Sequence, residues 1–160
     1  MAVRKATVED VPRIFDLGQD MLDRMYGEGK VMANRERGYK EMRQLIQSKT
    51  GLVIVDEQEG ELLGVLAGQV MVWAFVNLRY ATDIAFFVRE DRPVTAVKLL
   101  RRFVYWAQKQ RNVREVLINV THGLGDLDRV KVMYEKLGMI HVGGSFSVRL
   151  GNLAEQEVAA

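Results

Sequence analysis

The spacing of apolar and polar residues changes period along the chain, and each change predicts an element. Ala2 to Ala6 read as a short strand. Thr7 then stands as a helix N-cap, and Asp10 completes a capping-box-like pair, with Asp in place of the usual Glu. Val11, Ile14, Phe15, Gly18, Leu22 and Met25 follow at helical spacing, so an amphipathic helix begins there. Tyr26-Gly27-Glu28-Gly29 ends it. A second helical stretch, Asn34 to Ser48, is rich in Arg, Lys, Glu and Gln, with Met42, Leu45 and Ile46 as its apolar stripe.

The texture then turns to β. Leu52 to Val55 is a β-branched run, Glu57 to Gly60 a turn, and Leu62 to Trp73 a second extended run, which together predict a hairpin. Ala81 to Val88 is a third run. From Ala96 the apolar residues fall at 96, 99, 100, 103, 104 and 107, the pattern of a buried helical face. Its other face carries Lys98, Arg101, Arg102 and Lys109. Val116 to Val120 reads as a strand, and Leu127, Val130, Tyr134 and Leu137 stripe a helix closed by Gly138. Ile140 to Val142, a Gly143-Gly144 turn and Phe146 to Leu150 suggest a last hairpin. The order predicts a single α/β domain over residues 1–150, with a tail from 151 to 160. Its centre is a mixed, mostly antiparallel sheet flanked by about four helices.

Composition narrows the class. With 48% hydrophobic residues the chain can bury a core. A net charge of +2 is slight, so neither a nucleic-acid nor a membrane partner is expected. The absence of cysteine removes thiol nucleophiles and cysteine-based metal sites. The N-terminal residues lack the apolar segment of a signal peptide, and the longest apolar run is broken by Gly64, Gly68 and Gln69. A cytoplasmic protein is expected.

Three segments carry a family likeness: VRKATVEDVPRIFDL at the start, FFVREDRPVTAVKLLRRFVYWAQKQRNVREVLINV in the middle, and VMYEKLGMIHVGGSFSVRL near the end. With them the chain resembles the GNAT superfamily of acetyl-coenzyme A-dependent N-acetyltransferases, from Val3 to Leu150. It is similar in particular to short acetyltransferase-like proteins encoded by bacteriophages. The resemblance implies that Ala81–Val88 and Glu115–Val120 splay apart and admit the pantetheine arm of acetyl-coenzyme A between them. It also implies that the pyrophosphate rests on the turn from Arg89 to Ala96, where a helix N-terminus favours an anion. Cofactor contacts then carry over to Phe87, Val88, Arg92, Val94, Thr95, Ala96 and Asn119. This turn has no glycine, and Glu90, Asp91 and Pro93 stand in it.

The implied reaction is attack of an amine on the thioester. Tyr134, in Tyr134-Glu135-Lys136-Leu137-Gly138, corresponds to the family tyrosine that protonates the departing thiolate. A packed core tyrosine is the other reading. Where the family has an asparagine one or two turns earlier, this chain has Gly125-Asp126-Leu127-Asp128. Asp83 is the acid placed for a general base, sharing by alternation the face of Ala85 and Phe87, or else a solvated strand-end aspartate. His122 is a polar loop residue, or else serves as base or contacts the substrate, and His141 has no role. No metal spacing is present, so no metal is expected. Lys98, Arg101 and Arg102 either reach the outer phosphate of coenzyme A or form a solvated face. Trp73 and Phe75 either pack or rim an acceptor site, Trp106 packs, and the Met21, Met25, Met32 and Met42 series packs in the helices that would flank an acceptor. The acceptor is a small amine or a protein amine. The alternative is a catalytically silent protein of this fold that binds or assembles, as a homodimer or in a phage virion.

Overall fold

The computed structural model describes residues 2–90, 92–120 and 127–143. They belong to two compact units, Met1–Gly18 with Ala33–Val120, and Gln19–Met32 with Thr121–Ala160.

The larger unit is built on five strands: β1 (Ala2–Lys5), β2 (Gly51–Gln58), β3 (Glu61–Val72), β4 (Arg79–Val88) and β5 (Val113–Leu117). They lie in sequence order in one sheet. The first three pairings are antiparallel and β4 pairs with β5 in parallel, so the mixed sheet expected from the sequence is the observed one. Glu59 and Gly60 turn the β2–β3 hairpin with φ of 52° and 81°, the left-handed pair whose twist suits two flanking strands.

Three helices belong wholly or partly to this unit: α1 (Val11–Tyr26), which continues into the smaller unit, α2 (Arg35–Gln47) and α3 (Pro93–Gln108). Asn34 caps α2 by accepting the Arg37 N–H at 3.0 Å. The Asp10 carboxylate takes the Thr7 N–H at 2.8 Å, the interaction expected of that pair, although the residues it caps form a single 3-10 turn before α1. Alternation splits the sheet into two faces. Val53, Val55, Val65 and Ala67 pack with Ile14 and Leu17 of α1 and with Met42, Leu45 and Ile46 of α2. Leu99, Leu100 and Phe103 of α3 are buried on the other face. Gly64 and Gly68 let α3 come close, since a Cβ on Gly68 would stand 2.5 Å from the Phe103 ring.

Three expectations shift. α3 begins at Pro93, so the β4–α3 connection is only Arg89 to Arg92, and Val94, Thr95 and Ala96 lie in the first helical turn. Proline fits there because its missing N–H has no intrahelical partner to lose. β5 spans Val113–Leu117 instead of Val116–Val120, because its register starts opposite Arg79. Asn119 therefore lies beyond the strand. Ile140 to Val142 form no strand, and the remainder of the expected last hairpin, with the tail, lies outside the described residues.

The described part of the smaller unit holds the C-terminal half of α1 and α4 (Leu127–Lys136). Gln19 Nε2 donates to Asp23 Oδ1 and to the Val31 carbonyl, both at 2.9 Å, which folds the segment after α1 back on the helix. Gly138, with φ of 80°, ends α4 as expected of a glycine there. No helix among the described residues is long and apolar enough to cross a membrane.

Candidate active site

β4 and β5 run together only briefly. Their register covers Arg79 to Thr82 against Val113 to Leu117, and β4 then continues to Val88 with no strand partner on that side among the described residues. The parting point coincides with a bulge. Ala67 pairs with Ala85 and Gly68 with Asp83, so Ile84 is an extra residue on β4. A bulged strand bends and re-aims its side chains, and Ile84 is 54% exposed.

The bulge corrects the expected placement of Asp83. Ala67 and Gly68 point to opposite faces, so their partners do too. Asp83 therefore lies on the α3 side, and Ala85 and Phe87 on the α1–α2 side. Phe87 stands against Gly18, where a Cβ would come within 3.2 Å of its ring.

Asp83 is half-buried and sits in the crotch of the fork. Its Oδ1 accepts the Asn119 backbone N–H at 2.9 Å and the Asn119 Nδ2 at 3.0 Å. Burial pushes its carboxyl above the usual range, and the two Asn119 hydrogen bonds pull it partly back. Oδ2 has no hydrogen bond among the described residues. Thus the carboxylate has one oxygen anchored and one open, the arrangement a positioned base needs.

The first turn of α3 lies at the other end of β4. Arg92 is its exposed N-cap residue and offers no side-chain cap. Pro93 has no N–H, and the N–H groups of Thr95 and Ala96 both go to the Arg92 carbonyl, at 3.0 and 3.3 Å. Val94, 65% exposed, is left as the first-turn donor for an anion. Arg89 sets its Nε on the Leu62 carbonyl at 3.0 Å and on Glu61 at 3.1 Å.

Beneath this turn lies a residue the sequence reading missed. Asp56 of β2 is 1% exposed, and its Oδ2 accepts the Thr95 hydroxyl at 2.8 Å. Lys98 Nζ is 3.6 Å from the same oxygen. Asp56 Oδ1 has no hydrogen-bond partner among the described residues. A carboxylate under a helix N-terminus is favoured by the helix dipole, so Asp56 already supplies the negative charge this helix end attracts. The signal was present as the first acid after the apolar run Leu52-Val53-Ile54-Val55, directly before Glu57. The Thr95 hydroxyl is consequently directed into the protein. Lys98 is drawn toward Asp56, whereas Arg101 and Arg102 stay exposed.

Tyr134 is half-buried in α4 of the smaller unit, and its carbonyl accepts the Leu137 and Met139 N–H groups at the helix end. Asp91 and His122 lie outside the described residues, and His141 is exposed. Trp73 stacks on Tyr80 with ring centres 4.7 Å apart, while Phe75 is 98% exposed at the β3–β4 turn. Among the described residues no group of His, Asp and Glu gathers that would hold a metal ion.

An open strand edge can pair with an amide-bearing arm as a further strand would. The fork, the α3 N-terminus and the exposed Arg92 thus fit an extended ligand with an anionic end.

No protein-family profile matches the sequence, and no curated protein does. Solved structures do. Glucosamine-6-phosphate N-acetyltransferase from Arabidopsis thaliana superposes with a TM-score of 0.70 at 14% identity, covering 94% of this chain and 98% of that one. An aminoglycoside antibiotic 6'-N-acetyltransferase from Acinetobacter haemolyticus gives 0.66 at 17% identity, covering 94% and 100%. A GNAT family acetyltransferase from Staphylococcus aureus gives 0.60 at 14%, covering 93% and 98%. Identities this low establish the fold alone, and that fold is the one the GNAT acetyltransferases share.

Proposed function

We propose that the protein is an N-acetyltransferase that moves an acetyl group from acetyl-coenzyme A to a primary amine by direct attack. The observation that carries this reading is the fork, where β4 leaves β5 after Thr82 and keeps an open edge beside a half-buried carboxylate. The pantetheine amides pair with that edge around Ile84 to Phe87. The pyrophosphate lies at the α3 N-terminus, against the Val94 N–H and the Arg92 guanidinium. Val88, Thr95 and Ala96 shape that turn, Thr95 through Asp56.

Asp83 Oδ2 takes the proton from the acceptor ammonium. The freed amine nitrogen attacks the thioester carbonyl, and the carbon–sulfur bond breaks to release the coenzyme as its thiolate. Tyr134, which the resemblance matches to the family tyrosine, gives that thiolate its proton, and the second proton shed by the acylated nitrogen restores the Tyr134 hydroxyl. Asn119 acts through Asp83 as a positioning residue, since it fixes which carboxylate oxygen is open. The likeness to acetyltransferases of amino sugars and aminoglycosides supports an amine acceptor. Cytoplasmic location and a phage origin rest on the sequence reading alone.

The test is thiol release from acetyl-coenzyme A with a panel of aminoglycosides, amino sugars and lysine peptides. Turnover with one of them is expected, and Tyr134→Phe should lower kcat about 10²-fold while retaining cofactor affinity. Cofactor-dependent turnover unchanged in Tyr134→Phe would remove that residue from the mechanism.

One observation favours a second reading, a non-catalytic binding or assembly protein. The Asn119 N–H and the Thr95 hydroxyl, donors a cofactor would meet, are both held by the protein's own carboxylates. On that reading no acetyl-coenzyme A binds.

A further inference from the structure

The net charge of +2 conceals a segregated distribution. Seven of the 23 Lys and Arg residues, and none of the 21 Asp and Glu, fall between Arg92 and Arg114, so this segment carries +7 and the remainder −5. On α3 the charges lie along one stripe. Taking about 100° per residue, Lys98, Arg101, Arg102, Tyr105, Gln108 and Lys109 fall within an arc of about 120°, opposite the buried Leu99, Leu100, Phe103 and Ala107. Arg111 and Arg114 extend the exposed charge past the helix end.

Among the described residues these cations lack the carboxylate partners found elsewhere. Arg4, Arg13, Arg35, Arg37 and Arg89 each meet a carboxylate. Among the described residues Arg101, Arg102, Lys109, Arg111 and Arg114 meet none, and only Lys98 is paired, with Asp56. At the centre of the stripe is a half-exposed ring. Tyr105 is 49% exposed, with Lys109 Nζ 4.2 Å and the Arg102 guanidinium 5.8 Å from its ring centre.

We infer that the outer face of α3, continued by Arg111 and Arg114, binds single-stranded nucleic acid, with the cations on phosphates and Tyr105 as a stacking platform for a base. Four features favour this partner over an acidic protein. Most of the cations are arginines, whose planar fork suits phosphate oxygens. Between Lys98 and Lys109 the stripe carries one large apolar side chain, Tyr105, whereas a protein interface needs an apolar core. Stacking accepts any base. Finally, the stripe from Arg101 to Lys109 rises about 12 Å, enough to follow a strand across adjacent phosphates. This inference stands apart from acetyl transfer and revises the reading of the net charge.

The test uses the full chain and fluorescein-labelled single strands, one RNA and one DNA, of about 20 nucleotides, titrated by anisotropy at about 50 and 200 mM salt. Binding is expected to weaken about 10-fold or more between the two salts if three phosphates are neutralised. The triple variant Arg101→Gln, Arg102→Gln, Lys109→Gln should lose about 10-fold or more in affinity and flatten the salt slope by about 2. Tyr105→Ala should lose about 5-fold or more while Tyr105→Phe binds as the parent does. Circular dichroism melts of the variants check folding, which these exposed positions leave intact. Failure of both strands to bind at the lower salt would overturn the inference, as would binding insensitive to the triple variant. Equal affinity for a poly-glutamate peptide would assign the face to an acidic protein. Displacement of the strand by saturating acetyl-coenzyme A would assign it to the coenzyme's phosphates, and both results contradict the proposal.

Discussion

Asp83 Oδ1 accepts two hydrogen bonds from one residue, the backbone N–H and the side-chain amide of Asn119, at 2.9 and 3.0 Å. The pair joins β4 to the chain just past β5, at the point where the strands stop pairing. It leaves Asp83 Oδ2 open at the fork.

Removing the base tests its role. Asp83→Asn should reduce acetyl transfer about 10²-fold or more and leave acetyl-coenzyme A affinity within a few-fold of the parent. Burial raises the Asp83 pKa in the folded protein above its ordinary 3.8. The parent's rate should therefore rise with pH through that elevated value, and the variant should lose this limb. The same shift makes Asp83's contribution to stability fully present below its unfolded pKa and lost as pH rises through the folded one. At neutral pH the Asn variant should melt no lower than the parent. Steady-state rates against pH and a thermal melt check both statements.

Asn119→Ala separates positioning from packing. Both Asn119 bonds favour the ionised carboxylate; alanine keeps the backbone N–H and removes the side-chain amide, so loss of that one bond should move the acid limb of the rate profile to higher pH. A fall of about 10-fold in kcat with an unmoved pH profile would leave Asn119 only structural.

Thr95→Val removes the hydroxyl that Asp56 accepts within the protein. With Asp56 Oδ1 already lacking a partner, the variant should be destabilised by about 1–3 kcal/mol in urea unfolding, and Thr95→Ser should recover most of it. Equal stability of Thr95→Val and the parent would show that Asp56 does not need this contact.

At the opposite edge of the sheet Arg4 donates to both oxygens of Asp10, at 2.7 and 2.9 Å. This guanidinium contact, above all other influences, lowers the Asp10 pKa from 3.8 to about 2. A depressed carboxyl contributes stability that is present above its unfolded pKa and disappears as pH falls through its folded one. Asp10→Asn should therefore flatten the acid unfolding limb between those values, as measured by the melting temperature against pH.

The element pattern was legible where one face is buried. Ile14, Leu17, Val53, Val55 and Val65 repeat at helical or strand period, and all lie in the core. Boundaries set by long-range register were not. β5 starts at Val113 because Arg79 pairs there, which no local pattern around Val113 announces. The bulge at Ile84 was likewise invisible, since strand alternation assumes an unbroken pleat, and it moved Asp83 to the other face. Asp56 escaped notice because a buried carboxylate looks like any strand-end acid until its partners Thr95 and Lys98, far along the chain, are brought to it. The connection after β4, with no glycine, reads the same in sequence and structure: a short turn into a proline-started helix. Its donors are few, and this is where the proposed cofactor depends most on Val94 and Arg92.

Isothermal titration of acetyl-coenzyme A into the full chain tests the central claim most directly. One-site binding with a Kd in the micromolar range, about 8 kcal/mol, is the predicted result. No detectable heat with the cofactor at about 1 mM would contradict it and leave the fold in the service of binding alone.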